Sequence, residues 1–297
     1  MFVLAHLSDL HLAPLPTPRF SDLASKRILG FLNWQRKRRE VHDADTLEAL
    51  VADLKRQQAD HIAVAGDLVN LSLPEEFKAA QRWMLALGSP LDVTLVPGNH
   101  DAYVRSMEEE PARRWGDYMR SDGDEQPSFP FVRRRGPIAL VGLSSAVAAP
   151  WFRATGRIGK DQMRKLPDIL KQFGDEGLFR VVMLHHPPIS QPHRQSERLL
   201  NGPELVAAIK EAGAELVIHG HEHVNSVSWL AGPSERRIPV VGVPSASALP
   251  GKKWEAAGYN VYRIDGAPGA WHCQMTSHVI GKDGATTATE PRVIVWR

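Results

Sequence analysis

Aspartate, asparagine and histidine recur in this chain at spacings that suit metal ions. Asp9 and His11 stand two apart at the end of an apolar run. Alternate strand residues point the same way, so a carboxylate oxygen and an imidazole nitrogen there meet one cation. Asp67 follows Gly66 after the apolar residues 61–65. The glycine lets the backbone turn close to a ligand, and a carboxylate beside it is placed to bridge two ions. Gly98-Asn99-His100-Asp101 offers an amide, an imidazole and a carboxylate on one turn. Residues 181–184 deliver His185 and His186 before a pair of prolines stops the strand, and residues 216–218 lead to His219, His221 and His223 at alternate positions. Mixed nitrogen and oxygen donors of this kind suit Mn, Fe or Zn better than Mg or Ca.

The elements that must position these side chains are legible as a pattern. Short runs rich in Val, Leu and Ile fall near residues 2–6, 61–65, 92–96, 138–143, 179–184 and 215–219, and most end in Gly, Asp, His or Pro, as buried strands do where they meet polar loops. Helical spacing covers residues 45–57, 75–87, 159–173 and 203–212, with Leu47, Leu50, Val51 and Leu54 on one face of the first. Strand and helix alternation predicts a doubly wound α/β core, in which ligands bind just beyond the carboxyl ends of the strands. From about residue 225 the helical signals stop and short strands follow at 227–231, 238–243, 260–264, 271–276 and 293–296. A second sheet made largely of these C-terminal strands is expected. The 297 residues are 43% hydrophobic and 24% charged, which excludes a disordered or fibrous chain. Thirty-six Lys and Arg against 34 Asp and Glu give a net charge of +2, so whole-chain charge advertises neither nucleic acid nor an acidic membrane. The single cysteine, Cys273, excludes an internal disulfide and a cysteine-built zinc site and points to a reducing compartment, the cytoplasm. The first six residues lack a basic leader and are expected to form a strand, and no apolar run approaches the ~18 residues of a spanning helix.

Taken in order, Asp9-x-His11, Gly66-Asp67, Gly98-Asn99-His100-Asp101, His185 and Gly220-His221-x-His223 resemble the calcineurin-like metallophosphoesterase family, and among its members the bacterial cyclic-nucleotide phosphodiesterases. The resemblance implies a four-layer α/β/β/α sandwich, two mixed β-sheets flanked by helices. It implies a single domain over 1–297, with a basic and apolar insertion at about 14–42 and a strand-rich part from about 225. It also implies two divalent ions, one held by Asp9, His11, Asp67 and His223 and the other by Asp67, Asn99, His185 and His221. Two such ions bring four positive charges and the two aspartates return two, leaving a centre suited to a hydroxide nucleophile and a phosphodiester. His100 is then expected to stabilise the transition state or protonate the leaving oxygen, with Asp101 orienting it. His6, His42, His61, His193, His272 and His278 match no motif and are expected to be structural or superficial.

One segment stands outside these motifs. Residues 19–39 hold seven basic side chains and one acid, Asp22, interleaved with Phe20, Leu23, Ile28, Leu29, Phe31, Leu32 and Trp34. Following the Asp9/His11 strand, it is expected near the mouth of the metal site. The readings it allows are a packed helix with a solvated basic rim, a lid, a membrane-surface contact or a nucleic-acid contact. The acidic remainder of the chain makes nucleic acid the unfavoured one. The leading expectation is a small phosphodiester such as a cyclic nucleotide. A pyrophosphohydrolase of a lipid-linked sugar nucleotide, peripheral at the inner membrane surface, is the alternative, and a non-catalytic metal-stabilised scaffold stands as a different class. A serine hydrolase built on Ser144 lacks the second glycine of a nucleophile elbow. The sequence carries no signal of oligomeric state. Because Asp67 is the shared ligand, Asp67→Ala is expected to abolish turnover and the binding of both ions together, read by metal analysis of the purified variant; retained activity would remove the two-metal assignment.

Overall fold

The computed structural model describes residues 1–251 and 254–296. In chain order β1 (Phe2–Leu7) is followed by α1 (Arg27–Arg36), α2 (Ala44–Arg56), β2 (His61–Val64), α3 (Pro74–Leu87), β3 (Val93–Leu95) and α4 (Glu110–Trp115). Next come β4 (Phe131–Arg135), β5 (Ile138–Gly142), α5 (Lys160–Asp175), β6 (Phe179–Met183), α6 (Gly202–Ala212) and β7 (Leu216–His219). The last strands are β8 (Ser226–Ala231), β9 (Arg237–Gly242), β10 (Gly258–Ala267), β11 (Ala270–Ile280), β12 (Thr286–Ala288) and β13 (Arg292–Trp296).

These strands form two mixed sheets. Seven strands make the first, in the order β12-β11-β10-β1-β2-β3 with β13 beside β11, and six make the second, in the order β4-β5-β6-β7-β9-β8. β1, β2 and β3 run parallel, and β10 lies antiparallel on the other side of β1. A sheet drawing four of its seven strands, β10 to β13, from the C-terminal part matches the sequence expectation, but the single α/β core is corrected: β1 to β3 lie in that sheet and β5 to β7 in the other. β10 to β13 extend the first sheet, and only β8 and β9 join β4 to β7. The reason lies in β1, which is buried along its length and needs a hydrogen-bonding neighbour on both sides; β10 supplies the second one.

Burial explains why the strands read as unbroken apolar runs. In β6, Phe179, Val181 and Met183 join the core shared by the two sheets, while Val182 packs with Leu166, Leu170, Leu205 and Ile209 of α5 and α6. Alternate residues thus serve two different cores. Helix α2 is started by Asp43, whose carboxylate accepts the Thr46 N–H at 2.8 Å, and buries Leu47, Leu50 and Leu54. It is tied to the first sheet where Tyr259 donates to Asp53 at 2.5 Å. Among the described residues, no helix is long and apolar enough to cross a membrane.

The base of the second sheet holds a buried ion pair. Arg180 of β6 donates through Nε and Nη2 to Glu215 at 2.8 and 3.0 Å, and through Nη1 to the carbonyls of Leu170 and Ala212, so it joins α5 and α6 to the sheet. Removing one partner leaves the other charge buried. Glu215→Ala is therefore expected to destabilise the fold by about 3–5 kcal/mol, read from the urea midpoint, whereas an apolar pair at 180 and 215 loses much less; an unchanged midpoint for the single variant would refute the role given to the pair.

Candidate metal centre

The carboxyl ends of β1, β2, β6 and β7 converge with the loop after β3, and every sequence-predicted ligand lies there. Asp9, His11, Asp67, His221 and His223 all have positive φ, between 42° and 72°. Such backbone is disfavoured for residues with a Cβ and persists where surrounding structure fixes it. Hydrogen bonds do so here: Asp9 N–H donates to the Gly66 carbonyl, His11 N–H to the Asp67 carbonyl, and Ser245 Oγ to the Asp9 carbonyl at 2.6 Å. The approach of the turns also demands glycine. A Cβ at Gly98 would collide with Asp67 Oδ1, and one at Gly220 with Ser8 Oγ.

Two clusters result. In the first, His223 Nε2 lies 3.1 Å from Asp9 Oδ1 and 3.3 Å from His11 Nε2. In the second, His185 Nε2 lies 3.2 Å from Asn99 Oδ1 and 3.3 Å from Asp67 Oδ2, with a His221 ring nitrogen in the same group. Asp67 Oδ2 stands 3.8 Å from His11 Nε2, so it faces both clusters. The other nitrogens of three rings are spent on backbone carbonyls: His11 on Val69 at 3.2 Å, His185 on Ala65 at 2.7 Å and His221 on Glu197 at 2.8 Å. A carbonyl only accepts, so those nitrogens carry protons, and on His11 and His221, which burial holds neutral, the opposite nitrogens turn lone pairs inward. Lone pairs then face carboxylate and amide oxygens, an arrangement that a cation resolves and a solvent-free protein interior does not.

The electrostatics agree. Burial alone would raise the pKa of Asp9, but the charge and hydrogen bond of His223 hold it below the usual carboxylate range. Burial opposes a charge on His185, yet Asp67 keeps its pKa up at about 9, so that spot favours positive charge. Burial and the Arg38 charge hold His11 neutral, the form that ligates metals. The donor set therefore fits two divalent ions, Asp9, His11, Asp67 and His223 facing one, and Asp67, Asn99, His185 and His221 the other.

The remaining predicted residues divide. His186 faces away from the ions, with Nδ1 2.8 Å from Ser145 Oγ and Nε2 donating to the Ala154 carbonyl. His219 is buried behind the site against the Gly220 carbonyl. His100 falls within ligand distance of His11 and Asp67 and donates from Nδ1 to the Asn70 carbonyl at 2.5 Å. The expected contact from Asp101 to the His100 ring is not formed. Both Asp101 oxygens instead accept backbone N–H groups, from Asp67, Leu68, Val69 and Gly98, so Asp101 holds the Asp67 turn rather than the imidazole. The carbonyl that orients His100 belongs to Asn70, whose own N–H donates to the buried Glu76.

Sequence reading missed two side chains from the inserted segment. His42, expected to be structural or superficial, is buried, with its ring 4.5 Å from that of His11 and Nδ1 2.8 Å from Ser247 Oγ. Arg38 places Nη1 3.0 Å from His100 Nε2. Only the dense basic charge of residues 19–39 signalled it.

Residues 2–225 match the family model for calcineurin-like phosphoesterases. The chain is similar to the glycerophosphodiester phosphodiesterase GpdQ of Enterobacter lignolyticus (strain SCF1), at 26% identity over 228 residues that cover 74% of this chain and 70% of that protein. In fold it is similar to a dimetal phosphatase from Danio rerio, with 13% identity and a TM-score of 0.60 over 100% of this chain and 99% of that one. It is also similar in fold to the purple acid phosphatase PPD1 of yellow lupin, Lupinus luteus, with 11% identity and a TM-score of 0.60 over 98% of this chain and 53% of that one. Together with two clusters of metal-type donors at the strand ends, these matches establish that the chain belongs to the calcineurin-like phosphoesterase family of metal-dependent phosphoric ester hydrolases.

Proposed function

We propose that this protein hydrolyses a phosphodiester of a small substrate such as a cyclic nucleotide, using two divalent ions held by the residues named above. The observation that carries the reading is the position of His100. It stands between the ligand clusters and a cavity of about 480 Å³ lined by Leu29, Trp34, Arg38, Asn99, His100 and Tyr103. That volume lies in the range of about 300–1,000 Å³ usual for small-molecule sites. Divalent ions bound in the clusters supply an acidified water and positive charge for the phosphoryl oxygens. The chain's own residues do the rest. In-line displacement needs room for the departing alcohol, and the cavity beside His100 offers it. With Nδ1–H committed to Asn70, a proton for the departing oxygen must pass through Nε2, which takes it up from water in the cavity before handing it on. The 26% identity to a glycerophosphodiester phosphodiesterase supports a diester over a monoester. The single cysteine, buried Cys273, accords with the cytoplasm.

A second reading has an observation in its favour. Phe20 is 97% exposed, Phe152 84%, and Ile28 and Leu32 43% each. Ile28 and Leu32 belong to the helix above the cavity, and Phe152 lies in the opposite wall. An apolar rim of this kind would suit a lipid-linked diphosphate presented at a membrane surface.

The deciding measurement is turnover by Mn-loaded protein on an aryl phosphodiester, its monoester, 2′,3′- and 3′,5′-cyclic nucleotides and a diacylated sugar nucleotide. Rapid cyclic-nucleotide hydrolysis is expected; preference for the acylated compound would transfer the function to the second reading, and no turnover at all would leave a metal-stabilised scaffold. Replacing Ile28 and Leu32 by Ser should spare the small diester and impair only the acylated one. His100→Asn is expected to lower kcat by about 10²- to 10⁴-fold with unchanged metal content; full activity in that variant would dismiss the proton-transfer role.

A further inference from the structure

The buried and half-buried arginines of this chain use their donors differently. Arg27 donates to the carbonyls of Leu71 and Ser72. Arg133 donates to those of Pro90, Val93, Asp117 and Arg120. Arg180 is satisfied by Glu215 and two carbonyls. Arg38 differs from these three. Its hydrogen-bond partner is the His100 ring, and no carboxylate among the described residues pairs with its guanidinium. A guanidinium has five donors and no acceptor, so most of this one's hydrogen-bonding capacity is unused by the described residues.

Its position says where those donors are available. Arg38 lines the cavity that takes in Tyr103 and Leu29, and also the adjoining one lined by Asp67, Asn99, His221 and His223. It therefore stands on the wall between the metal-type donors and the space for the alcohol. The guanidinium carbon lies 6.0 Å from the Trp254 ring centroid. The turn that carries it, Arg38–Glu40, is fastened on both sides. Before it, Trp34 is buried and stacks on His42 at an interplanar angle of 6°. After it, Asp43 N–H donates to the Ser247 carbonyl at 3.0 Å, and Leu249 N–H to the Val41 carbonyl at 2.8 Å. The cation is thus held at the mouth of the site by packing and backbone bonds that do not consume its charge.

We propose that Arg38 is a substrate-contacting residue whose guanidinium donates to non-bridging phosphoryl oxygens beside His100. The segment of residues 19–39 is then part of the reaction centre, contributing a fixed positive charge beside His100. The proposal deepens the phosphodiesterase reading and rests on it for the identity of the phosphoryl group. A planar fork of donors matches a tetrahedral anion with two free oxygens, and such charge-assisted contacts are the strong ones.

The test uses the full chain loaded with Mn and compares Arg38→Ala, Arg38→Lys and, as a neighbour in the same turn, the exposed Arg39→Ala. Three quantities are read for each: calorimetric affinity for inorganic phosphate, kcat/KM on whichever diester the wild-type protein turns over, and metal content with melting temperature. Arg38→Ala is expected to weaken phosphate at least 10-fold and lower kcat/KM on the order of 10²-fold, at unchanged metal content. Arg38→Lys should keep part of both, Arg39→Ala should match wild type, and added guanidinium ion should partly restore Arg38→Ala. Phosphate affinity and kcat/KM within twofold of wild type in Arg38→Ala would overturn the proposal, as would losses that merely follow lost metal or a lowered melting temperature. If the wild-type protein binds phosphate through Arg38 but turns over no ester, the phosphodiesterase reading fails and the contact stands; if the wild-type protein binds no phosphate, the contact itself is refuted.

Discussion

Two carboxylates, Asp9 and Asp67, lie buried among imidazole rings packed at the strand ends. His11, His185 and His221 have each committed one N–H to a backbone carbonyl, which fixes the ring orientation and aims the other nitrogen at the carboxylates. Much of the architecture serves to hold this concentration of polar groups in place. Five ligands sit on left-handed backbone, glycines let the turns touch, and Asp101 spends both oxygens on four backbone N–H groups that pin the turn around Asp67. The arrangement calls for compensating positive charge, and two divalent ions would supply it.

The same constraint explains how the two sheets divide the work. The parallel strands β1, β2, β6 and β7 end at one level, so short polar turns from both sheets meet there without long loops. Ser8 and Ser245 pair across the gap, and Ser245 Oγ reaches the Asp9 carbonyl, so a residue far from every metal motif fixes the backbone of the first ligand. Rigid placement of donors by strand ends, rather than by mobile loops, is what a preorganised ion pair requires.

The sequence was most legible where chemistry and periodicity coincide. Asp67 and His223 announce themselves because a ligand type follows an apolar run directly, and β6 is readable because both of its faces are buried. The assignment of β10 to the first sheet was not readable, since an antiparallel neighbour of β1 is selected by pairing across 250 residues and leaves no local mark. Asp101 was misread for a related reason. Its place in the motif beside His100 suggested a contact with that ring, while its true partners are backbone N–H groups, which carry no sequence signature. Arg38 was hidden in a run of similar charges; what separates it from Arg36, which lines the same cavity, is its contact with the His100 ring, and that leaves no mark in the sequence.

The pairing of β10 with β1 also orders events in time. As the chain leaves the ribosome, Asp9 and His11 emerge long before their supports: the Asp9 turn lacks its bond until Ser245 is available, and β1 stays a sheet edge until residues beyond Gly258 follow. A nascent chain carrying all seven candidate ligands still exposes a hydrophobic strand with one unpaired side, the kind of surface that invites wrong partners. Maturation of the centre is therefore late, closing only after the residues from Ser245 to β10 have been made.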